Sequence, residues 1–366
     1  MNEKRKNILT LVLFSAVIFG FLSASLLSPD RRYSISERRT LAQKPDISIS
    51  ELLSGKYMSE FDSYSLDQFP LRDRFRSIKA YTSKYILRQK DNNGLYVIDG
   101  NLSKLEYPLN EMRVQGSVKK MREVYDSYIS GTDCSVYLSV IPDKNYFLAP
   151  LGNYPVMDCE KLIKQVKSGC GYAKYIDIFP LLSLEDYYKT DQHWRQESII
   201  GVAQALAQSM GTHIVSDFEV HTLDVPFFGA YCGQAAMKFR PDTINYLTND
   251  ILDKCIVTDF DTGKPVPAFV YDIEKAGKKD AYDLFLSGSS ALMTIENPNA
   301  PLDKELIIFR DSFSSSIAPL LASGYSKMTL IDLRYISSKD IRNYVNFGDQ
   351  DVLFLYSTLI LNNGIS

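Results

Sequence analysis

The sequence predicts an α/β fold built on a mainly parallel sheet, following one N-terminal apolar helix. Two observations predict the sheet. Runs such as Leu306-Ile307-Ile308-Phe309 and Val352 to Tyr356 are continuously apolar. They lack the polar alternation of a strand with one wet face, so both of their faces are covered. These runs also alternate with stretches whose apolar residues recur every three or four positions, the period of a helix lying on a sheet. The third observation, the apolar helix, is Ile8 to Leu27, twenty residues without a charge.

That run is long enough to cross a bilayer and longer than the roughly 7–15 apolar residues of a signal peptide. Its length favours an uncleaved signal-anchor, although Ser23 and Ser25 are small enough for a cleavage site. Lys4, Arg5 and Lys6 precede it, while Arg31, Arg32, Arg38 and Arg39 follow. The short basic tail argues for a cytoplasmic N-terminus. Residues 1–28 are thus read as tail and anchor of a single-pass cell-membrane protein whose body is extracytoplasmic, or as a leader whose removal leaves a secreted one.

Residues 29–95 are polar with helical patches at Ile49–Leu53 and Phe61–Ile86, and read as a helical stalk or lead-in. Asn92-Asn93-Gly94, Leu95 to Ile98 and Asp99-Gly100 read as turn, short strand, turn. Residues 96–366 form the α/β domain. Val114, Val118, Met121, Tyr125 and Ile129 predict an amphipathic helix, and Val136–Ile141 a strand. Residues 159–168 read as a helix and Tyr175–Ile178 as a strand. A helix from about Arg195 to Met210 buries Ile199, Val202, Ala203, Leu206 and Met210 and stops at Gly211. After Phe309 come a helix at Ser314–Ala322, a strand at Met328–Leu333, a helix at 338–346 and the strand Val352–Tyr356. Residues 212–300 break the rhythm with Gly229, Gly233, Gly263 and Pro267, and read as a β-rich insertion or lid near the site. Within them, Glu274 to Asp280 reads as a solvated loop.

Composition narrows the function. Net charge is −3 with no basic stripe, so nucleic acid is not an expected partner. The five cysteines, Cys134, Cys159, Cys170, Cys232 and Cys255, form no CxxC and no Cys/His cluster. They predict mostly free, buried thiols and no metal site, and no cofactor is expected. The 24 tyrosines suit either sugar contacts or, more simply, amphipathic positions at the core edge.

Chemistry concentrates in two segments. Tyr188-Lys189-Thr190-Asp191-Gln192-His193-Trp194 sets an aspartate and one of only three histidines a single residue apart. In a helix, residues i and i+2 do not face each other. In an extended or turn segment they share a side, so Asp191 can orient the His193 imidazole. Thr190 or Asp191 can also cap the helix that follows. The second segment, Arg310-Asp311-Ser312-Phe313-Ser314-Ser315-Ser316, places Ser312 where a buried strand hands over to a helix, at the carboxyl edge of the sheet where α/β sites form. That helix offers N–H groups and a positive dipole end to an oxyanion, and one such donor is worth roughly 3–4 kcal/mol in a transition state. The plainer reading is that Ser312, Ser314, Ser315 and Ser316 only cap the helix. Ser312, His193 and Asp191 together are the parts of an acyl-transfer triad.

The first segment resembles the signature of the DHHW protein family, which is similar to the SGNH-like O-acetylation proteins of the alginate pathway. Ser36-Glu37-Arg38-Arg39-Thr40-Leu41-Ala42, Asp67 to Asp73, Ile141-Pro142-Asp143-Lys144, Phe228-Gly229-Ala230-Tyr231 and Ile331 to Tyr335 also resemble family segments. The resemblance implies an SGNH-like, flavodoxin-like three-layer sandwich with a circularly permuted motif order, because here the Asp/His pair precedes the serine. It implies the catalytic roles of Asp191, His193 and Ser312. It further implies oxyanion or substrate roles for Asp143 and Lys144, for Arg334 and Tyr335, and for Gln192 and Trp194 beside the histidine. Two departures stand out: Gln192 replaces the family's first histidine, and Arg310 replaces the glycine of the usual serine motif. The implied activity is transfer or removal of an O-acetyl group on a cell-surface glycan, with the acetyl donor supplied by a membrane O-acyltransferase. A non-catalytic glycan-binding or assembly protein on the same fold is the rival reading.

Overall fold

The computed structural model describes residues 2–278, 280–301 and 303–365. The chain divides into two compact units: one holds the residues up to Asn93 together with Cys232–Lys238, and the other holds the remainder. In chain order the first unit begins with α1 (Glu3–Leu27), the one helix among the described residues long and apolar enough to cross a membrane. A short hairpin, β1 (Tyr33–Ser34) and β2 (Arg39–Thr40), and three helices follow: α2 (Ile49–Ser54), α3 (Lys56–Asp67) and α4 (Arg72–Tyr81). A π-helical turn, Thr82–Ile86, continues α4.

Two of the segments singled out in the sequence hold this unit together. Asp67, in the second of them, accepts from Arg39 Nη1 at 2.8 Å, from Arg39 Nη2 at 2.5 Å and from the Ala42 N–H at 2.9 Å. The hydrogen bonds from Arg39 hold its carboxylate down at about 2. Glu37, in the first, pairs with Arg72 at 2.5 Å and Arg76 at 3.2 Å.

The second unit opens with the hairpin β3 (Leu95–Ile98) and β4 (Asn101–Lys104). Its two turn residues, Asp99 and Gly100, both have positive φ, the conformation that matches the twist of a two-residue hairpin. Then come α5 (Glu111–Val124), β5 (Ser135–Ile141), α6 (Lys144–Leu148), α7 (Cys159–Gly169), β6 (Lys174–Tyr175) and α8 (Ile200–Ser209). The middle of the chain adds β7 (Glu219–Thr222), α9 (Ala230–Ala235), β8 (Asn245–Thr248), β9 (Ile256–Asp259), β10 (Val266–Ala268), α10 (Ile273–Ala276) and β11 (Leu292–Glu296). The last part is β12 (Glu305–Arg310), α11 (Ser314–Leu321), β13 (Lys327–Ile331), β14 (Asp351–Ser357) and α12 (Thr358–Asn363).

One eight-stranded sheet, in the order β10-β9-β11-β13-β12-β14-β5-β6, forms the central layer. The five strands from β13 to β6 run parallel, as the apolar runs predict. Side chains of β14 alternate between the two cores: Leu353 and Leu355 join Val202 and Leu206 of α8 and Ile317 and Leu320 of α11, while Val352 and Phe354 join Met121 of α5, Leu162 of α7 and Leu361 of α12. Helices therefore cover both faces, giving three layers. Because each strand is buried on both sides, no residue of β14 is exposed.

The sheet is mixed rather than wholly parallel. Strands β11, β9 and β10 add to it antiparallel, so much of the segment expected as an insertion belongs to the sheet itself. Within that segment, β7 and β8 pair antiparallel apart from this sheet. Pro267 lies in β10, the outermost strand, where a missing N–H is tolerated. Residues 273–276 are helical with Ala276 buried, unlike the loop expected there, and Lys279 lies outside the described residues. Several boundaries shift: the strand expected at Met328–Leu333 runs Lys327–Ile331, and the helix expected at 338–346 is a 3-10 helix over Ser338–Asn343. The expected strand at Tyr175–Ile178 stops at Tyr175, and the helix expected from Arg195 starts at Ile200 after a 3-10 turn. None of the five cysteines forms a disulfide; Cys159, Cys170 and Cys232 are buried, and Cys134 and Cys255 are partly exposed.

Candidate active site

Strands β12, β14 and β5 run parallel and end together at Arg310, Ser357 and Ile141. The turn from β12 into α11 carries Ser312, half-buried, at this carboxyl edge. Asp311 builds the turn. Its Oδ1 accepts from the Phe313 N–H at 3.0 Å, and its Oδ2 accepts from both the N–H and the hydroxyl of Ser357 at 2.7 Å. A fully buried carboxylate thus ties the serine turn to the end of the neighbouring strand. The Ser314 N–H donates to the Asp311 carbonyl and the Ser315 N–H to the Ser312 carbonyl. The helix end expected to offer free N–H groups has therefore spent those of Phe313, Ser314 and Ser315. The Ser312 N–H remains unengaged among the described residues.

His193 meets Ser312 across 119 residues of chain, with Nε2 and Oγ 2.8 Å apart. Its Nδ1 lies 2.6 Å from Asp191 Oδ1, and the same oxygen accepts from the His193 N–H at 3.0 Å. The Asp-x-His spacing is thus an Asx-type turn, in which a carboxylate bonds the backbone two residues on. The same carboxylate aims the ring. Thr190 and Asp191 are not caps of α8, which begins only at Ile200. With Nδ1–H donating to Asp191, Nε2 is the acceptor for the Ser312 hydroxyl.

The loop carrying this pair is held on several sides. Asp191 Oδ2 accepts from the Ala230 N–H at 2.7 Å. Asp242 accepts from the N–H groups of Lys189 and Thr190 and from the Thr190 hydroxyl, at 2.6–2.9 Å. Gly229 passes so close that a Cβ there would sit 2.3 Å from the Thr190 carbonyl oxygen and 2.5 Å from Asp191 Cβ. This contact accounts for a glycine in the Phe228–Tyr231 segment. Aromatic residues pack the imidazole: Tyr282 stacks on it at 3.9 Å between centroids and 9° between planes, and Phe313 lies at 4.9 Å. Tyr282 is buried, and its hydroxyl is 2.9 Å from Ser316 Oγ.

The other expected site residues divide sharply. Lys144 is no oxyanion donor: its ammonium, buried in the unit, donates to the carbonyls of Tyr188 at 2.8 Å, Lys189 at 3.1 Å and Asp191 at 2.6 Å. Burial pulls the lysine down to about 7, against the opposing pull of Asp191, Asp242 and Asp143. Asp143 is also structural, capping α6 through the Asn145 N–H at 2.6 Å and accepting from the Thr358 hydroxyl at 2.8 Å; burial raises its carboxyl above the usual range. Arg334 is committed to Asp332 through bonds of 2.9 and 2.6 Å. Burial works against its charge, but Asp332 more than offsets this and holds it above its usual value. Tyr335 is 57% exposed under the Arg334 guanidinium, and Gln192 is partly exposed beside the histidine. Trp194 has no exposed surface. Its Nε1–H donates to the Phe313 carbonyl at 3.1 Å and Ser316 Oγ at 2.8 Å, fastening the histidine loop to the serine turn. Arg310, in place of glycine, is buried and donates to Ser315 Oγ at 2.7 Å. Among the described residues no group of His, Cys, Asp and Glu could hold a metal ion.

The Lys144 assignment makes a stability prediction. Lys144→Met removes the donor to three carbonyls; that of Lys189 keeps the Leu102 N–H at 2.8 Å, while the buried carbonyls of Tyr188 and Asp191 are orphaned, each at about 1–3 kcal/mol. The variant is expected to be destabilised by about 2 kcal/mol or more in a urea melt. An unchanged midpoint would show that these carbonyls find other partners.

No family model matches the sequence, and neither does any curated protein. Solved structures do match. A DHHW family protein from Eubacterium siraeum superposes with a TM-score of 0.60 at 20% identity, over 75% of this chain and 95% of that one. PatB1 from Bacillus cereus matches with a TM-score of 0.59 at 19% identity over 74% of this chain and 97% of its own, and its sulfonyl-adduct form matches with a TM-score of 0.58. The chain shares its fold with these proteins.

Proposed function

We propose that the chain is a membrane-anchored, extracytoplasmic serine acyl-transfer enzyme of the DHHW type, an O-acetyltransferase or acetylesterase acting on a cell-surface polysaccharide. The observation that carries this reading is the unbroken relay Asp191–His193–Ser312, with contacts of 2.6 and 2.8 Å at the carboxyl edge of the sheet. A helix cap needs no histidine at its hydroxyl, and a structural histidine needs no serine at a strand end. The fold shared with the DHHW family protein and PatB1 supports the same reading, as does the Asp/His-before-serine order expected of a permuted SGNH arrangement.

In this mechanism Ser312 Oγ gives its proton to His193 Nε2 and attacks the acetyl carbonyl. Asp191 stabilises the imidazolium, and the Ser312 N–H is a candidate donor to the oxyanion. Collapse returns the proton to the leaving alcohol and leaves an acetyl ester on Ser312. A sugar hydroxyl or water then gives a proton to His193, attacks the ester and frees Ser312. A membrane O-acyltransferase would supply the donor on the outer face.

Tyr282 holds the base by its ring face in this scheme. A well-stacked aromatic contact is worth about 1 kcal/mol, so Tyr282→Leu is expected to lower kcat about 5-fold with KM little changed. Tyr282→Phe keeps the ring and should retain most activity. Equal losses in both variants would shift the role to the Ser316 bond.

An organophosphonate probe tests the function as a whole. It is expected to label the full chain and not the Ser312→Ala variant. A folded chain that resists labelling would favour the non-catalytic glycan-binding reading.

A further inference from the structure

The face that α4 turns outward is apolar. Leu71, Phe75, Ile78, Tyr85 and Ile86 are 57%, 44%, 61%, 62% and 73% exposed, and Leu66 and Leu87 extend the patch. Their spacing puts them on one side of the helix and the turn that continues it. The opposite side packs inward, with Arg72 and Arg76 paired to Glu37 and with Ala80 and Ser83 buried. A soluble stalk has no use for such a stripe.

The stripe is continuous with α1. The Phe21 ring lies 5.3 Å from Phe69 and 5.7 Å from Phe75, and Phe69 and Phe75 are 5.7 Å apart. A cavity of about 420 Å³ beside them is lined by Ala16, Gly20, Phe21 and Ala24 of α1 with Pro70 and Leu71. At 1.5 Å per residue, Phe21 lies roughly 9 Å short of the helix end at Leu27. When α1 crosses a bilayer, side chains packed on Phe21 lie in the upper acyl region, roughly 9 Å below the level of Leu27. Charge agrees: from Arg74 to Lys90 the sequence has no acidic residue and six basic ones, Arg74, Arg76, Lys79, Lys84, Arg88 and Lys90. A basic helix with an aromatic and aliphatic face is the pattern of a segment lying in the membrane interface, and Tyr81 and Tyr85 suit its aromatic belt.

We propose that residues 66–87 lie in the outer-leaflet interface, with the lipid surface as the occupant of the apolar stripe. This rests on α1 spanning the bilayer. The segment expected as a stalk would then be seated on the membrane along this face.

The full chain, reconstituted into vesicles of phosphatidylcholine and phosphatidylglycerol containing doxyl-labelled phosphatidylcholine, tests the proposal. Ile78→Trp adds a fluorophore to the stripe, and Met112→Trp adds one at an 80% exposed position in the other unit. The wild type, with its buried Trp194, supplies the background. Ile78→Trp emission is expected to be blue-shifted and quenched several-fold more than that of Met112→Trp, in a chain that resists carbonate extraction. Equal quenching in a carbonate-resistant chain would overturn the proposal while leaving α1 as a span. A chain released by carbonate would remove the span, and the proposal with it.

Discussion

Alanine at Ser312 is expected to abolish turnover of a small acetyl ester while leaving the melting temperature nearly unchanged. The hydroxyl contacts His193 Nε2 at 2.8 Å, but it is not what holds the turn. Asp311 does that, through Phe313 and Ser357. Removing Oγ therefore deletes the nucleophile and little structure. Losing a triad member leaves only the residual acceleration of binding and oxyanion contacts, and in a serine protease that residue is about 10³–10⁴ over water. Ser314→Ala and Ser315→Ala should behave differently. Neither side chain touches the imidazole. Ser315 accepts from buried Arg310, so its loss is expected to cost stability of about 1 kcal/mol or more and only modest activity. Turnover that survives Ser312→Ala would remove the proposed nucleophile.

Asn at position 191 is expected to cost about 10⁴ in rate, as the same change does in a serine-protease triad. Asp191 Oδ1 takes bonds from both the N–H and the ring of His193, and Oδ2 takes one from Ala230. An amide can keep part of this frame by presenting its oxygen to the backbone. It cannot stabilise a protonated imidazole, and its NH₂ favours the tautomer with the proton on Nε2, where the base must be bare. The variant should therefore fold, bind substrate with similar KM and lose kcat. Gln192→His lies outside the relay and should leave kcat within a small factor. Equal losses in Asp191→Asn and Gln192→His would mean the loop matters only as packing.

The relay was legible because its parts are local. A one-residue spacing fixes Asp191 against His193, and an apolar strand followed by a helix fixes the edge position of Ser312. Its support was not legible, because each prop comes from elsewhere in the chain. Lys144 reaches Asp191 across 47 residues, Asp242 reaches Thr190 across 52, and Ser316 meets Tyr282 across 34. The motif resemblance drew Lys144 toward the oxyanion; a lysine beside the apolar strand Val136–Ile141 was the available sign of a buried structural cation. Nothing in the sequence around Tyr282 distinguishes it from the other tyrosines. The same contrast holds for the sheet. The two-sided apolar strands β12 and β14 identify themselves, whereas β9 and the edge strand β10 are short and partly exposed, and Gly263 and Pro267 read as loop punctuation.

The central claim is that Ser312 carries the acyl group. Brief exposure of the full chain to an activated acetyl ester, an acid quench and mass spectrometry of the peptide spanning the β12–α11 turn measure it directly. The relay predicts an acetyl group on Ser312, absent when His193 is replaced by alanine. Acetyl on Ser314, Ser315 or Ser316 instead, or labelling of Ser312 undiminished without His193, would contradict it.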